Sequence, residues 1–419
     1  MRKWVVFLCL GLLAIVSLLT ACGPAATPDS VEVLPETASL TADTVAPTSA
    51  PPTATPTPIP SPTPTLQPTL APPAVPLDRI AQGQRLGRGV NLGNALEAPR
   101  EGEWGMVLQK EYFRLIADAG FDTIRVPIRW STHALEEPPY TVDENFFQRV
   151  DWVIENGLAN GLNVVINMHH YEEMFETPSA HAERFIAIWE QIVTRYKNKL
   201  DNLYFEPLNE PHGTLTQDKW MRILGDTILA IRRIDNRHTL IVTGAEWGGY
   251  RGIATLRLPE GEENYVCTFH SYEPMLFTHQ GATWSGTGYQ TLGVTWPGPP
   301  ATPVTMDPEA AKVGWVFSWF RQYNTYPYET NPAGPKPIRD AFDRAVRAAE
   351  QKGCALWLGE FGAFEQADMQ SRINWTTFMR EEAEARGMSW AYWEFGSGFG
   401  VYDRAAEQWH EGLLRALIP

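Results

Sequence analysis

Eight short apolar runs, separated by longer amphipathic or loop stretches, limit this chain to very few folds. The runs are Gly87–Leu92, Thr123–Ile128, Asn163–Asn167, Leu203–Leu208, Thr239–Thr243, Val266–Phe269, Ala355–Leu358 and Ser389–Trp393. Each has the length of a strand. Most are apolar throughout, as expected of parallel strands covered by helices on both faces. Stretches of helical period lie between them: Lys110–Ala119, Asn145–Asn160, Ser179–Tyr196, Lys219–Ile234, Pro337–Lys352 and Trp375–Arg386. Several end at a glycine, such as Gly120, Gly161 and Gly353, which suits a left-handed cap. The alternation predicts an α/β fold, a (β/α)8 TIM barrel. An open doubly wound sheet is the other arrangement. It is disfavoured because no Gly-rich phosphate loop follows the first run.

The chain before these runs is different in kind. Arg2 and Lys3 precede an apolar run from Trp4 to Leu19, and Leu19-Thr20-Ala21-Cys22 follows. This is the pattern of an export signal, residues 1–21, and it is short for a spanning helix. Its ending resembles the bacterial lipoprotein box, which makes Cys22 the expected site of lipidation. Residues 22–76 then form a linker. From Gly23 to Pro76 there is no Lys, Arg or aromatic residue, and Pro, Thr, Ala and Ser dominate. Such a segment buries too little apolar area to offset its ordering entropy, and its prolines favour an extended spacer. Residues 77–419 are the expected catalytic domain, a length suited to one large core. The expectation is therefore an extracytoplasmic protein, held at a membrane only through its N-terminal lipid.

The formal net charge is −15. So acidic a chain is poorly suited to nucleic acid or anionic surfaces and is compatible with a neutral substrate. Of its 16 Trp, all but Trp4 fall in the folded part. Exposed Trp faces suit the apolar C–H faces of sugar rings, although Trp also fills cores. Cys267 lies within one predicted strand and Cys354 just before another. The reading favours buried free thiols over a disulfide. No CxxC or His/Cys cluster calls for a metal, no cofactor is implied, and a monomer is expected.

Polar residues gather at the C-terminal ends of the runs. Leu203-Tyr204-Phe205-Glu206-Pro207-Leu208-Asn209-Glu210-Pro211 starts as a strand, and proline must end its ladder there. Ala355-Leu356-Trp357-Leu358-Gly359-Glu360-Phe361-Gly362 likewise delivers one glutamate before a glycine break. Arg125, His169, His170, Trp247, His270, Tyr272 and Trp393 stand at comparable positions. A lone His is usually a satisfied core residue, and a lone Arg a structural ion-pair partner. The recurrence of such residues at one end is hard to obtain by chance, and barrel enzymes place their sites there. Two carboxylates without a metal set suggest glycoside hydrolysis, one as acid/base and one as nucleophile. In that scheme Arg125 and Tyr272 hold the nucleophile ionised. Asn209 reaches a sugar hydroxyl, the histidines orient carboxylates or hydroxyls, and Trp393 floors the subsite at the cleaved bond. The connection from Tyr272 to about Pro335 is long and aromatic, which favours a functional wall or lid.

The set Arg125, His169, Asn209-Glu210-Pro211, His270, Tyr272, Glu360 in Gly-Glu-Phe-Gly, and Trp393 resembles the family 5 glycoside hydrolases. The resemblance runs from about Gly87 to Asp403. It implies that Glu210 is the acid/base and Glu360 the nucleophile. Within that family, several segments resemble single-domain endoglucanases that also cut mannan: Gly93-Asn94-Ala95-Leu96-Glu97, Met168-His169-His170-Tyr171, His279-Gln280-Gly281-Ala282 with Trp284, and Tyr392-Trp393-Glu394-Phe395. This implies sugar contacts for Asn94, Glu97, Trp247 and Trp284. The expected activity is a retaining endo-β-1,4-glucanase acting on a β-linked polysaccharide or oligosaccharide, with mannan or glucomannan as further substrates. A β-mannanase, xyloglucanase or mixed-linkage glucanase is the alternative. A non-catalytic glycan-binding lipoprotein is the remote one, and it would be expected to lose a carboxylate.

Overall fold

In a computed structural model, eight parallel strands close on themselves. The structure describes residues 79–199 and 202–419, so the signal, Cys22 and the linker lie outside the described residues. The strands are β1 (Arg88–Asn91), β2 (Thr123–Val126), β3 (Asn163–Asn167), β4 (Leu203–Glu206), β5 (Leu240–Val242), β6 (Tyr265–His270), β7 (Ala355–Phe361) and β8 (Ser389–Tyr392). Pairing of Arg88 with Trp390 and Val90 with Tyr392 joins β1 to β8 and completes the barrel. The (β/α)8 barrel read from the sequence is therefore the fold, with strand ends displaced by at most a few residues.

The first half of the barrel carries α1 (Arg79–Arg85), α2 (Lys110–Asp118), α3 (Glu144–Ala159), α4 (Glu172–Glu176), α5 (Pro178–Tyr196) and α6 (Gln217–Ile234). The second carries α7 (Tyr250–Ala254), α8 (Met275–Thr278), α9 (Gly314–Thr325), α10 (Pro335–Lys352), α11 (Met369–Glu384) and α12 (Glu411–Leu417). A two-residue hairpin, β9 (Tyr402–Asp403) with β10 (Gln408–Trp409), follows β8. Two caps follow their residue chemistry. Asp143 accepts from Asn145 N at the start of α3, and Gly353 ends α10 in the left-handed region. Among the described residues, no helix is long and apolar enough to cross a membrane.

Side chains alternate between the barrel's inside and its helical coat. One inward layer packs Val165, Tyr204, Ile241, Val266, Trp357 and Ala391 against Leu86, which follows α1 at the barrel floor. One inward step further up, apolar residues give way to Asn91, Arg125, Asn167 and Glu206, all essentially inaccessible. The lower layer is the plug on which a polar upper layer rests.

Cys267 and Cys354 form a disulfide with Cα atoms 5.9 Å apart, which corrects the expectation of free thiols. The reason lies in the register. Cys267 pairs with Leu356 across β6 and β7, and Cys354 is two residues before Leu356. Both cysteines therefore leave the barrel on the same outer face of adjacent strands, within bonding reach. Their separation of 87 residues hid this in the sequence.

The long connection after β6 is ordered. α9 turns Val316, Phe320 and Tyr323 inward. Tyr323 Oη accepts from Thr295 N at 2.8 Å, and Asn331 Nδ2 donates to the carbonyls of Tyr323 and Tyr326 at 2.9 Å. Trp319 stacks on Tyr323 at 5.0 Å.

Candidate active site

Glu360 reaches the barrel interior because β7 slips register. Phe269 pairs with Leu358, but His270 pairs with Glu360, so one residue is inserted at Gly359. A bulge of this kind re-aims the following side chain. Gly359 is the inserted residue for a steric reason. A Cβ there would lie 2.7 Å from Thr268 Oγ1 and 3.0 Å from His270 Nε2.

Arg125, on β2, is the hub of the site. Its Nε and Nη2 donate to the two oxygens of Glu206 at 2.7 and 2.8 Å. Nη1 donates to Glu360 Oε1 at 2.6 Å and to Asn91 Oδ1 at 2.9 Å, and Nη2 also donates to Asn209 Oδ1 at 2.7 Å. All five N–H groups of the buried guanidinium are thus engaged. Burial opposes its charge, but the carboxylates of Glu206 and Glu360 outweigh that and hold its pKa above the usual value. Glu360 also accepts from Tyr272 Oη at 2.7 Å. Burial favours the neutral acid at Glu360, yet His270, Arg125 and Tyr272 together keep its pKa below the ordinary carboxylate range. The same contacts hold the Tyr272 phenol protonated, its burial and the Glu360 charge pushing its pKa well up.

Glu210 sits beyond the tip of β4 with φ of +41°, in the left-handed region. Local bonds hold it there. Asn209 N donates to Met168 O at 2.9 Å, Trp247 N donates to Pro211 O at 3.2 Å, and His212 Nδ1 lies 2.6 Å from Glu210 O. The Glu210 carboxylate meets His270 Nδ1 at 2.6 Å. Burial disfavours a charged imidazole there, but Glu360 and Glu210 more than compensate, so the pKa of His270 lies above its ordinary value. One oxygen of each glutamate and a ring nitrogen of His270 all lie within 4.8 Å of one another. That spacing also suits a metal ion. Here, however, Arg125 supplies the cationic charge, and each of those atoms already has a hydrogen-bond partner.

His169 is buried, and its tautomer follows from its neighbours. Ile128 N donates to Asn167 Oδ1, so Asn167 Nδ2 is the group at 3.1 Å from His169 Nδ1. Nδ1 accepts, and the proton is on Nε2. Burial, then His170 and Arg125, keep the ring neutral. Trp393 lies parallel to His169 at 5.6 Å, half-buried at the site's edge. His170 stands further out against Trp104 at 5.7 Å, and burial with Arg129 lowers its pKa to about 4.

The remaining predicted residues divide. Trp247 is 61% exposed and stacked on His212 at 3.5 Å; Trp284 is 64% exposed and set edge-on to Phe364 at 4.9 Å. Both present open faces. Asn94, at φ of +65°, donates from Nδ2 to Glu394 Oε2 at 2.7 Å. Glu97 departs from its expected role as a sugar contact. It is 1% exposed and accepts from the backbone N–H groups of Asn94 and Ala95, so it shapes the loop beneath Asn94. Burial raises its pKa to about 8, and burial raises that of Glu394 to about 7.

Sequence reading missed Glu206, Asn91, Glu394 and Trp104 as site components. The signal for Glu206 and Asn91 was available. Both are polar residues at inward steps of apolar strands, and a buried charge there requires a partner.

A family profile described as "Cellulase (glycosyl hydrolase family 5)" matches residues 87–398. The chain belongs to glycoside hydrolase family 5. Among curated relatives of this family 5 chain, Endoglucanase H of Acetivibrio thermocellus is 30% identical over 341 residues, covering 80% of this chain and 33% of the relative. The chain thus spans about a third of that protein's length. Among solved structures, Thermotoga maritima Cel5A in complex with cellobiose is 44% identical, with a TM-score of 0.71, covering 81% of this chain and all of that one. Its complex with mannotriose matches at 43% identity with the same TM-score and coverage.

Proposed function

We propose that this family 5 hydrolase is a retaining endo-β-1,4-glucanase. The observation that carries the reading is the unlike setting of two neighbouring carboxylates. Glu360 is held as an anion by Arg125 and Tyr272. Glu210 is half-open to the cleft and bonded to His270. One oxygen of each lies within 4.8 Å of one oxygen of the other, which favours the close pair of a retaining enzyme, at about 5–5.5 Å, over the inverting pair at about 6.5–9.5 Å. Glu360 attacks the anomeric carbon, and the bond to the leaving oxygen breaks as Glu210 protonates it. Glu210 then takes a proton from water, which attacks the glycosyl–Glu360 ester and releases the sugar with retained configuration. Asn209 Oδ1 is held by Arg125, which leaves its Nδ2 to donate to the sugar. His169 Nε2–H is a further donor, and Trp393 offers a ring face at the cleaved bond.

The endoglucanase names among the relatives and the cellobiose complex of Cel5A favour β-glucan. The mannotriose complex favours mannan or glucomannan as further substrates. Export and anchoring at Cys22 belong to the same proposal. The Cys267–Cys354 disulfide supports an oxidising, extracytoplasmic location.

The test is reducing-end release from carboxymethylcellulose, barley β-glucan, glucomannan and galactomannan, with Glu360→Gln as control. Turnover of the glucans should vanish in the control. Glu210→Ala should lose about 10²–10⁴-fold on ordinary glycosides and far less on substrates with activated leaving groups. Equal losses on both kinds, or normal turnover by Glu360→Gln, would remove the assignment.

A further inference from the structure

We propose that the outer face of α9, centred on Trp315, is a remote binding platform for the same β-1,4-linked polysaccharide. The inference rests on the proposed glycanase reading. Trp315 is 53% exposed although it sits on a helix whose inner face is well packed. It is not a loose side chain. Tyr289 packs against it at 6.0 Å, and Gly288 approaches its ring so closely that a Cβ there would touch it.

Packed rings tie the platform to the site from beneath. Tyr289 lies 6.4 Å from His279, and His279 lies 5.0 Å from Tyr272, the residue that donates to Glu360. The short turns that carry Trp284 and Tyr289, Thr283–Ser285 and Thr287–Tyr289, are joined through Gly286. Tyr289 thus links the turn that carries Trp284 to the ring of Trp315.

The chemistry favours a neutral glycan over other occupants. A fixed, open indole offers an apolar face that matches the C–H face of a pyranose, and it binds without ordering cost because it is already held. A polymer engaged at Glu360 presents its next sugars at high effective concentration, so a weak second contact becomes effective. The chain's formal net charge of −15 disfavours anionic partners.

The experiment is affinity electrophoresis in gels containing barley β-glucan, comparing Glu360→Gln with Glu360→Gln/Trp315→Ala, so that binding is read without hydrolysis. In parallel, KM is measured for Trp315→Ala and Trp315→Tyr on the polymer and on an aryl cellotrioside. Truncation of Trp315 should weaken retardation and raise the polymer KM by about tenfold, with a much smaller rise on the short substrate. Tyr should restore most of the loss. Equal retardation of the two proteins, or equal KM changes on polymer and short substrate, would overturn the platform while leaving the glycanase reading intact. A change in sedimentation with Trp315→Ala and none in retardation would make the face a self-association surface and overturn the proposal. Absence of both retardation and turnover in the otherwise unaltered protein, on every β-1,4-glycan tried, would remove the glycanase reading and the platform with it.

Discussion

Arg125 shows how one residue can set the chemistry of several. Its charge is the largest fixed feature of the polar layer, and Glu206 alone already neutralises it through two bonds. The contact to Glu360 is therefore an additional stabilisation of a second anion, reinforced by Tyr272. Glu360 has a folded pKa below its unfolded one, so it stays ionised until the pH falls well into the acid range. Removing one donor should raise that pKa. In Tyr272→Phe the acid limb of kcat/KM is expected to move up by about one pH unit. A limb that stays in place would mean that Glu360 does not set it. Glu97 and Glu394 behave in the opposite sense. Their folded pKa values, about 8 and about 7, lie above the ordinary 4.5, so the folded protein keeps protons that the unfolded chain has released. Their contribution to stability is full below pH 4.5 and falls as the pH rises to about 8. Glu394→Gln should flatten that decline. Urea midpoints measured from pH 5 to pH 9 check it, and an unchanged slope would contradict the assignment.

At the scale of elements, the strands decide which residues meet. The apolar runs and their flanking helices were legible because period and length are local properties. So was the clustering of Asn209-Glu210, His270, Tyr272 and Glu360 at one end of the barrel. What was not legible depends on register between strands far apart in sequence. Glu206 looks like an interruption of an apolar run until β2 brings Arg125 beside it. Cys267 and Cys354 look like isolated small residues until β6 and β7 align. Glu97 matches a segment associated with sugar contacts, yet the turn at Asn94 folds it underneath. The bulge at Gly359 belongs to the same class of hidden feature, and it makes a sharp prediction. Gly359→Ala places a methyl group against His270 and Thr268, so it should displace the pair His270–Glu360. A shift of about 1 Å at a reacting group costs about 10²-fold in rate. Activity should fall by that order, with near-normal circular dichroism. Full activity would mean that the bulge tolerates a side chain and does not fix the site.

At the scale of the molecule, the barrel is a scaffold whose β6–β7 connection is a long packed segment carrying α8, α9 and α10. Both ends of that connection are tied by the Cys267–Cys354 bond, next to the strands that carry His270 and Glu360. Disulfides typically contribute about 2–4 kcal/mol, and the chain-entropy relation gives about 4.6 kcal/mol for a loop this long. Replacing both cysteines with serine should lower the thermal midpoint accordingly, in the absence of reductant. An unchanged midpoint would show that the packing of β6 on β7 suffices without the bond.

The same bond has a topological consequence. The segment from Cys267 to Cys354, with α9 and most of the exposed aromatic surface on it, is a closed covalent ring hung on the barrel. A protease that nicks this ring at one exposed turn cuts the backbone without releasing a fragment. The two fragments remain one molecule until a reductant is added, and both glutamates stay attached to it. Damage to this part of the enzyme therefore leaves its catalytic halves joined.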